Sequence, residues 1–348
     1  MTSATAPSER QTLIDRYPWV LAGLGVALAI MAIISLGIGR VSIPPSTVVA
    51  ILASRLVDIA PFWESSAELI VANVRLPRIL AAMIIGAALA AAGAAYQTLF
   101  RNPIVAPDVL GVSAGAGFGA SLAVMFNLGA VAIQFGAFVT GLAAVGLCFA
   151  IGQAINRHSL IVLVLVGVVI AAFFQAMISI LKIVADPIDV LPVITFWLLG
   201  GLNKITPADL PVAATLVSVS LLGLLLLRWQ VNVMGLAPEE ARMLGVNVTL
   251  MRLALVVTAT LMTAAAVSIA GIIGWVGLVV PHIARMLVGA SFDRLLPASI
   301  LTGALFVLIV DNLSRAATAM EIPLGITTSV IGAPLFLVLL LRVKAAWS

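Results

Sequence analysis

The chain has 348 residues, 63% of them hydrophobic, and only 32 charged side chains, 18 basic and 14 acidic. A soluble chain of this length carries on the order of 85 charges, so these charges cannot cover a soluble surface, and the apolar excess excludes a disordered chain. What remains is an all-α polytopic membrane protein, with material for about ten helices of about 20 apolar residues each.

Charge-free stretches mark the spans, because an unpaired charge is costly in hydrocarbon. Residues 1–16 form a polar tail. Span 1 covers 17–39 and is expected to be retained: it is over 20 residues long, has no convincing A-x-A cleavage site and follows Glu9, Arg10, Asp15 and Arg16. Span 2 covers 79–100. The stretch 109–156 is long enough for two helices, and Asn127, Leu128 and Gly129 supply the break between span 3 (106–126) and span 4 (129–156). Span 5 covers 158–181. Residues 183–204 are too short to cross again; with Asp186-Pro187 and the apolar run 193–199 they read as an external loop carrying a short helix. Span 6 covers 208–228, and the loop 229–252 follows. Span 7 (253–273) runs into Gly271, Gly274 and Gly277 around Trp275, then Pro281, which predicts a short, broken span 8 over 275–288. Spans 9 (295–315) and 10 (322–342) complete a single membrane domain over 17–344.

Ten crossings put both termini on one side. With the termini inside, the inner segments hold 11 basic residues and the outer ones seven, which favours cytoplasmic termini. The outer set includes Arg75, Arg78 and Arg315. Snorkelling or phosphate contact accounts for them one by one; an acidic external partner accounts for all three, since arginine pairs bidentately with carboxylates. Asp311 lies one helical turn before Arg315, a spacing that predicts a local ion pair with a structural role, gating being the alternative. His282 reads as a satisfied structural histidine.

Small residues crowd span 2 (Gly86, Ala87, Ala90, Gly93, Ala94) and recur every four positions in span 3 at Gly111, Gly115 and Gly119. This spacing lets backbones approach closely in lipid; a smooth surface lining a solute path is the second reading. In the inner loop, Pro238-Glu239-Glu240-Ala241-Arg242-Met243-Leu244-Gly245 combines a proline suited to a first helical turn, acids near the positive helix end and a glycine suited to the C-terminal cap. A two-turn cytoplasmic helix is predicted, presenting Met243 and Leu244 either to solvent or to the groove of another protein. The chain has no G-x-x-x-x-G-K-[ST] loop, so any nucleotide is handled by a partner. One cysteine, Cys148, and two histidines, His158 and His282, permit neither an internal disulfide nor a Cys/His metal cluster. The net charge of +4 has carriers too scattered to argue for nucleic acid.

The residues resemble the FecCD type permeases of ABC importers, the class of iron-siderophore, haem and vitamin B12 systems. The matching stretches are Arg75-Leu-Pro-Arg78; Gly86 to Gly93, Gln97, Leu99-Phe100, Asn102-Pro103, Pro107, Leu110-Gly111-Val112-Ser113 and Gly115; Ala241-Arg242 with Leu244-Gly245; Gly274 with Val276 to His282; and Glu321-Ile-Pro-Leu-Gly325 with Gly332-Ala-Pro334. The resemblance implies the type II importer permease fold and a homodimer in the bacterial inner membrane. It also implies two cytoplasmic ATPase subunits that hold ATP and magnesium, and an external substrate-binding protein. By position, Pro238 to Gly245 would dock on the ATPase, and Arg75, Arg78 and Arg315 would meet acids of the binding protein. Asn102, Ile104, Leu160 and Ile161 would form the inner gate, with Gly111, Ser113 and Gly115 along the pathway. The expected activity is transport without catalysis by this chain, with a ferric siderophore as cargo. Haem, cobalamin or molybdate is the alternative cargo, and an ion-coupled secondary transporter the alternative mechanism.

Overall fold

The computed structural model describes residues 9–345 except 40, 42, 55, 56, 58, 157, 158 and 318–320, and gives no side chains for 9–15, 340 and 342–345. The readings that rest on residues 1–8, on Arg40, Arg55, Arg157 and His158, and on the side chains of Arg10, Arg342 and Lys344 therefore lie outside the described residues. Among those described there is no strand. The helices are α1 (Glu9–Gly37), α2 (Pro45–Ala53), α3 (Ser65–Ile70), α4 (Leu76–Phe100), α5 (Val112–Met125), α6 (Ala130–Asn156), α7 (Leu160–Val184), α8 (Val190–Leu198), α9 (Leu210–Leu226), α10 (Arg228–Val233), α11 (Pro238–Met243), α12 (Val248–Ala270), α13 (Val276–Val288), α14 (Phe292–Ala316) and α15 (Leu324–Ala345).

Among the described residues, seven segments are long and apolar enough to cross a membrane, and α5, α13 and α15 supply three shorter apolar helices. The helix limits differ from the charge-free limits for a physical reason. Loss of charge marks the hydrocarbon, whereas a helix ends where its backbone is capped. So α1 already begins at Glu9, and α12 begins at Val248, where the Asn247 side chain accepts from the Leu250 amide at 3.0 Å. The expected external loop contains α8, and the expected inner loop contains α11 together with the unforeseen α10.

Helix α4 is the centre of the bundle. Its apolar window is 83% buried, against 17–33% for α1, α6, α7 and the α9 segment, so small residues fall where other helices press on it. A β-carbon at Gly93 would stand 1.9 Å from the Gly277 carbonyl oxygen, a contact only glycine allows. Ahead of α4, Pro77 offers no amide for the carbonyl one turn earlier, and the chain widens into a π turn over Val71–Arg75.

Three helix ends meet in unwound backbone. Gly201 donates to the Ala270 carbonyl at 2.7 Å, Leu324 to Gly200 at 2.9 Å and Gly325 to Leu199 at 3.0 Å, joining the ends of α8 and α12 to the start of α15. Irregular backbone survives at membrane depth when protein satisfies it in this way. Gly271 adopts φ +70°, and a side chain there would strike the Trp197 carbonyl at 2.2 Å. Trp275, with φ 70°, opens α13 and sets its ring 6.3 Å from that of Phe336 of α15, tilted by 59°.

Candidate functional site

At one end of the bundle, charges converge from distant parts of the chain. Arg78, on the first turn of α4, donates from Nε to Asp311 Oδ1 at 3.0 Å, from Nη2 to the same oxygen at 2.8 Å, and from Nη1 to Glu321 Oε2 at 2.8 Å. Arg315 Nε lies 3.1 Å from Asp311 Oδ2. Its Nη1 donates to the Ile38 carbonyl at 3.1 Å, and Arg75 donates to the carbonyls of Leu36 and Val41. Two arginines therefore cap the C-terminal end of α1, where the last helical carbonyls lack amide partners. Asp311 is fully buried, and Arg75 and Arg78 are nearly so.

Beside this network lies a cavity of about 970 Å³, bordered by Arg78, Gln134, Trp197, Lys204, Asp209 and Glu321 among others. Its polar side chains are largely engaged: Gln134 donates to Asp209 Oδ1 at 2.7 Å, and the other carboxylate oxygen accepts from the Thr206 amide at 2.7 Å.

The opposite end is built differently. Pro238 opens α11, and Glu240 accepts from the Ala237 amide at 3.3 Å, so the short helix is closed by its own sequence. Ala241 is fully buried, while Met243 is 80% and Leu244 52% exposed, which leaves two large apolar side chains projecting from an anchored rod. Gly245 ends it with φ +81°. Asn102 and Ile104, on the loop after α4, are both exposed, and Asn102 Oδ1 accepts from the Ile104 amide at 3.0 Å. A smaller cavity of about 270 Å³ lies at this end, with Gln153, Asn156, Ser159, Leu160 and Arg252 on its wall. Ile161, the neighbour of Leu160, is exposed away from the core.

The FecCD transport family matches residues 27–342. The chain belongs to that family. The molybdate import system permease protein MolB of Haemophilus influenzae is 38% identical over 95% of this chain and 97% of its own length. A probable iron chelatin transport system permease of Helicobacter pylori is 39% identical over 80% of this chain and 85% of its own length. A solved ABC transporter, described as of provisional metal-chelate type and inward-facing, superposes with a TM-score of 0.83 at 36% identity, over 93% of this chain and 99% of that one. This FecCD chain is thus a multi-pass ABC importer permease, a transport subunit of a system that includes an ATPase and a substrate-binding protein.

Several expectations about the permease need correction. Arg75, Arg78 and Arg315 do not form a free external surface: their donors are taken by carboxylates and carbonyls of the chain itself. The Asp311–Arg315 pair was expected from their spacing, but the pairing of Arg78 with Asp311 and Glu321, 233 and 243 residues further along the chain, was not. Gly111, Ser113 and Gly115 do not border open space. Gly111 abuts Ile170 of α7, a β-carbon at Gly115 would meet Thr140 O of α6 at 2.6 Å, and Ser113 Oγ donates to Asp108. Close packing, the first reading of the glycine spacing, accounts for them. His282 is buried with its ring against Phe336, and its Nδ1 has no hydrogen-bond partner among the described residues. A further polar tie was not foreseen: Gln97 donates to the Leu278 carbonyl at 3.2 Å and accepts from Arg285 at 3.0 Å, joining α4 to α13.

Proposed function

We propose that this permease works as a homodimer in an ATP-driven importer of ferric siderophore, with two ATPase subunits at its cytoplasmic face and a substrate-binding protein outside. The observation that carries the reading is α11. It is a short helix held by a buried Ala241, with Met243 and Leu244 exposed beside it, as docking into an ATPase groove requires. The α11 end would then be cytoplasmic, together with both termini. ATP and magnesium would sit on the partner. Nucleotide binding would draw the ATPases together, α11 would carry the displacement into the bundle, and the pathway would open alternately to the two sides. Asn102, Ile104, Leu160 and Ile161 would close its inner end. At the outer end Arg78 and Glu321, paired with each other, border the cavity.

Molybdate is the second reading of the cargo, favoured by the match to MolB over nearly its full length. An ion-coupled carrier is disfavoured because Asp311, the most buried of the network's carboxylates, is clamped by two arginines and has little freedom to exchange an ion.

The test is reconstitution of the permease with its ATPase and binding protein in liposomes. Replacing Met243 and Leu244 together by aspartate is expected to weaken ATPase binding at least about thirtyfold, the effect of losing about 2 kcal/mol from a central apolar contact. Unchanged assembly and uptake would sink the docking reading. Titrating the binding protein with ferric hydroxamate and with molybdate separates the two cargoes, and uptake that persists with a catalytically dead ATPase would favour ion coupling.

A further inference from the structure

Three helix ends close with the same pair of backbone bonds. After α5, Leu128 donates to Ala123 O at 3.0 Å and Asn127 to Val124 O at 2.9 Å. After α11, Val246 donates to Ala241 O at 3.0 Å and Gly245 to Arg242 O at 2.9 Å. After α4, Asn102 donates to Gln97 O at 3.1 Å and Arg101 to Thr98 O at 3.2 Å. The central residue of this cap is left-handed and is normally glycine or asparagine. The first two sites obey the rule. At the third an arginine holds φ 49°, ψ 36°.

Backbone preference does not explain arginine at 101, but its side chain does. Nε donates to the Met234 carbonyl at 3.2 Å, and Nη2 donates to the Leu236 carbonyl. Met234 directly follows α10, and Leu236 stands two residues before Pro238, the first residue of α11. On its other side Arg101 adjoins Asn102 and, through the Asx contact, Ile104. A forked guanidinium on two carbonyls fixes both direction and distance, which one flexible ammonium does not. The docking segment is tied elsewhere too: Asn232 Oδ1 accepts from the Phe292 amide at 3.0 Å, binding α10 to the start of α14. Among the contacts described for the loop 234–237, the Arg101 pair joins it to the segment carrying Asn102 and Ile104.

We propose that Arg101 is the positioning residue that transmits movement of the α11 segment to the 101–104 loop. The inference rests on the ATPase docking proposed above, and it assigns the transmission to one side chain.

The test uses the full permease–ATPase complex with Cys148 replaced by alanine and a spin label at Leu236→Cys, beside α11 but outside its docking side chains, or at Ile104→Cys, both exposed positions. Spectra are compared without nucleotide and with a non-hydrolysable ATP analogue. With Arg101 present, both labels are expected to shift. In Arg101→Gly, whose backbone suits the left-handed cap better than arginine, the label at 236 should respond as before. The response at 104 should fall about fivefold, the size expected when a coupling of about 1 kcal/mol is cut. Arg101→Lys, which keeps a donor, should restore part of it. An undiminished response at 104 in Arg101→Gly overturns the proposal. So does loss of ATPase binding by that variant, since Arg101 would then shape the docking loop rather than transmit its motion. Absence of ATPase binding with Arg101 intact would instead defeat the docking reading itself.

Discussion

The two ends of this permease handle polar side chains in opposite ways. At the end bearing Arg78, charged groups are drawn inward: Asp311 meets Arg78 and Arg315, Glu321 meets Arg78, and Arg75 caps α1. At the α11 end, large apolar groups are held outward on short, self-capped elements, and Arg101 reaches only to backbone carbonyls. A buried charge network cannot rearrange cheaply, because stripping one partner leaves an uncompensated ion in a low-dielectric interior. Carbonyl contacts and exposed methionine or leucine carry no such penalty. The first end is suited to holding α1, α4 and α14 together, and the second to moving and to meeting another protein.

Four substitutions test this contrast. The largest effect is expected from Asp311→Ala, which leaves Arg315 without its carboxylate and Arg78 with Glu321 alone; a loss of about 3–5 kcal/mol follows, read from thermal unfolding in detergent. A melting point within a few degrees of the parent would break the claim that this network locks the end. Gly93→Ala adds a methyl against the Gly277 carbonyl and should destabilise by about 1–3 kcal/mol, with denaturant titration as the measurement. Ser159 at the α11 end accepts from the Val162 amide at 3.2 Å and caps α7. Its replacement by alanine should cost about 1 kcal/mol, measured the same way; a loss as large as that of Asp311→Ala would erase the difference between the ends. The Met243→Asp, Leu244→Asp pair should change stability by less than about 0.5 kcal/mol, as expected for exposed positions, while abolishing tight ATPase binding.

The sequence was legible wherever the signal is local. Charge-free length marks the spans, Asn127 to Gly129 separates α5 from α6, the glycines around Trp275 break the chain before α13, and Pro238 to Gly245 spells out a capped helix. Each depends on residues within a few turns of one another. The site was less legible. Three arginines in a nominally external position read as a docking surface because their acidic and carbonyl partners lie far along the chain. Gly111 and Gly115 matched a packing surface first and a pathway second, and which neighbours fill the space beside them, α6 and α7, lay outside their local spacing.

What the sequence by itself determined is a membrane protein of ten apolar elements, its family, and the short polar helix suited to a partner. Those follow from solvation and from backbone capping, which are properties of neighbouring residues. The tertiary structure alone decided which charges are available. A side chain is free or engaged only by virtue of what folds against it, and here folding buries the arginines that looked exposed and gives Arg101 two carbonyls to hold.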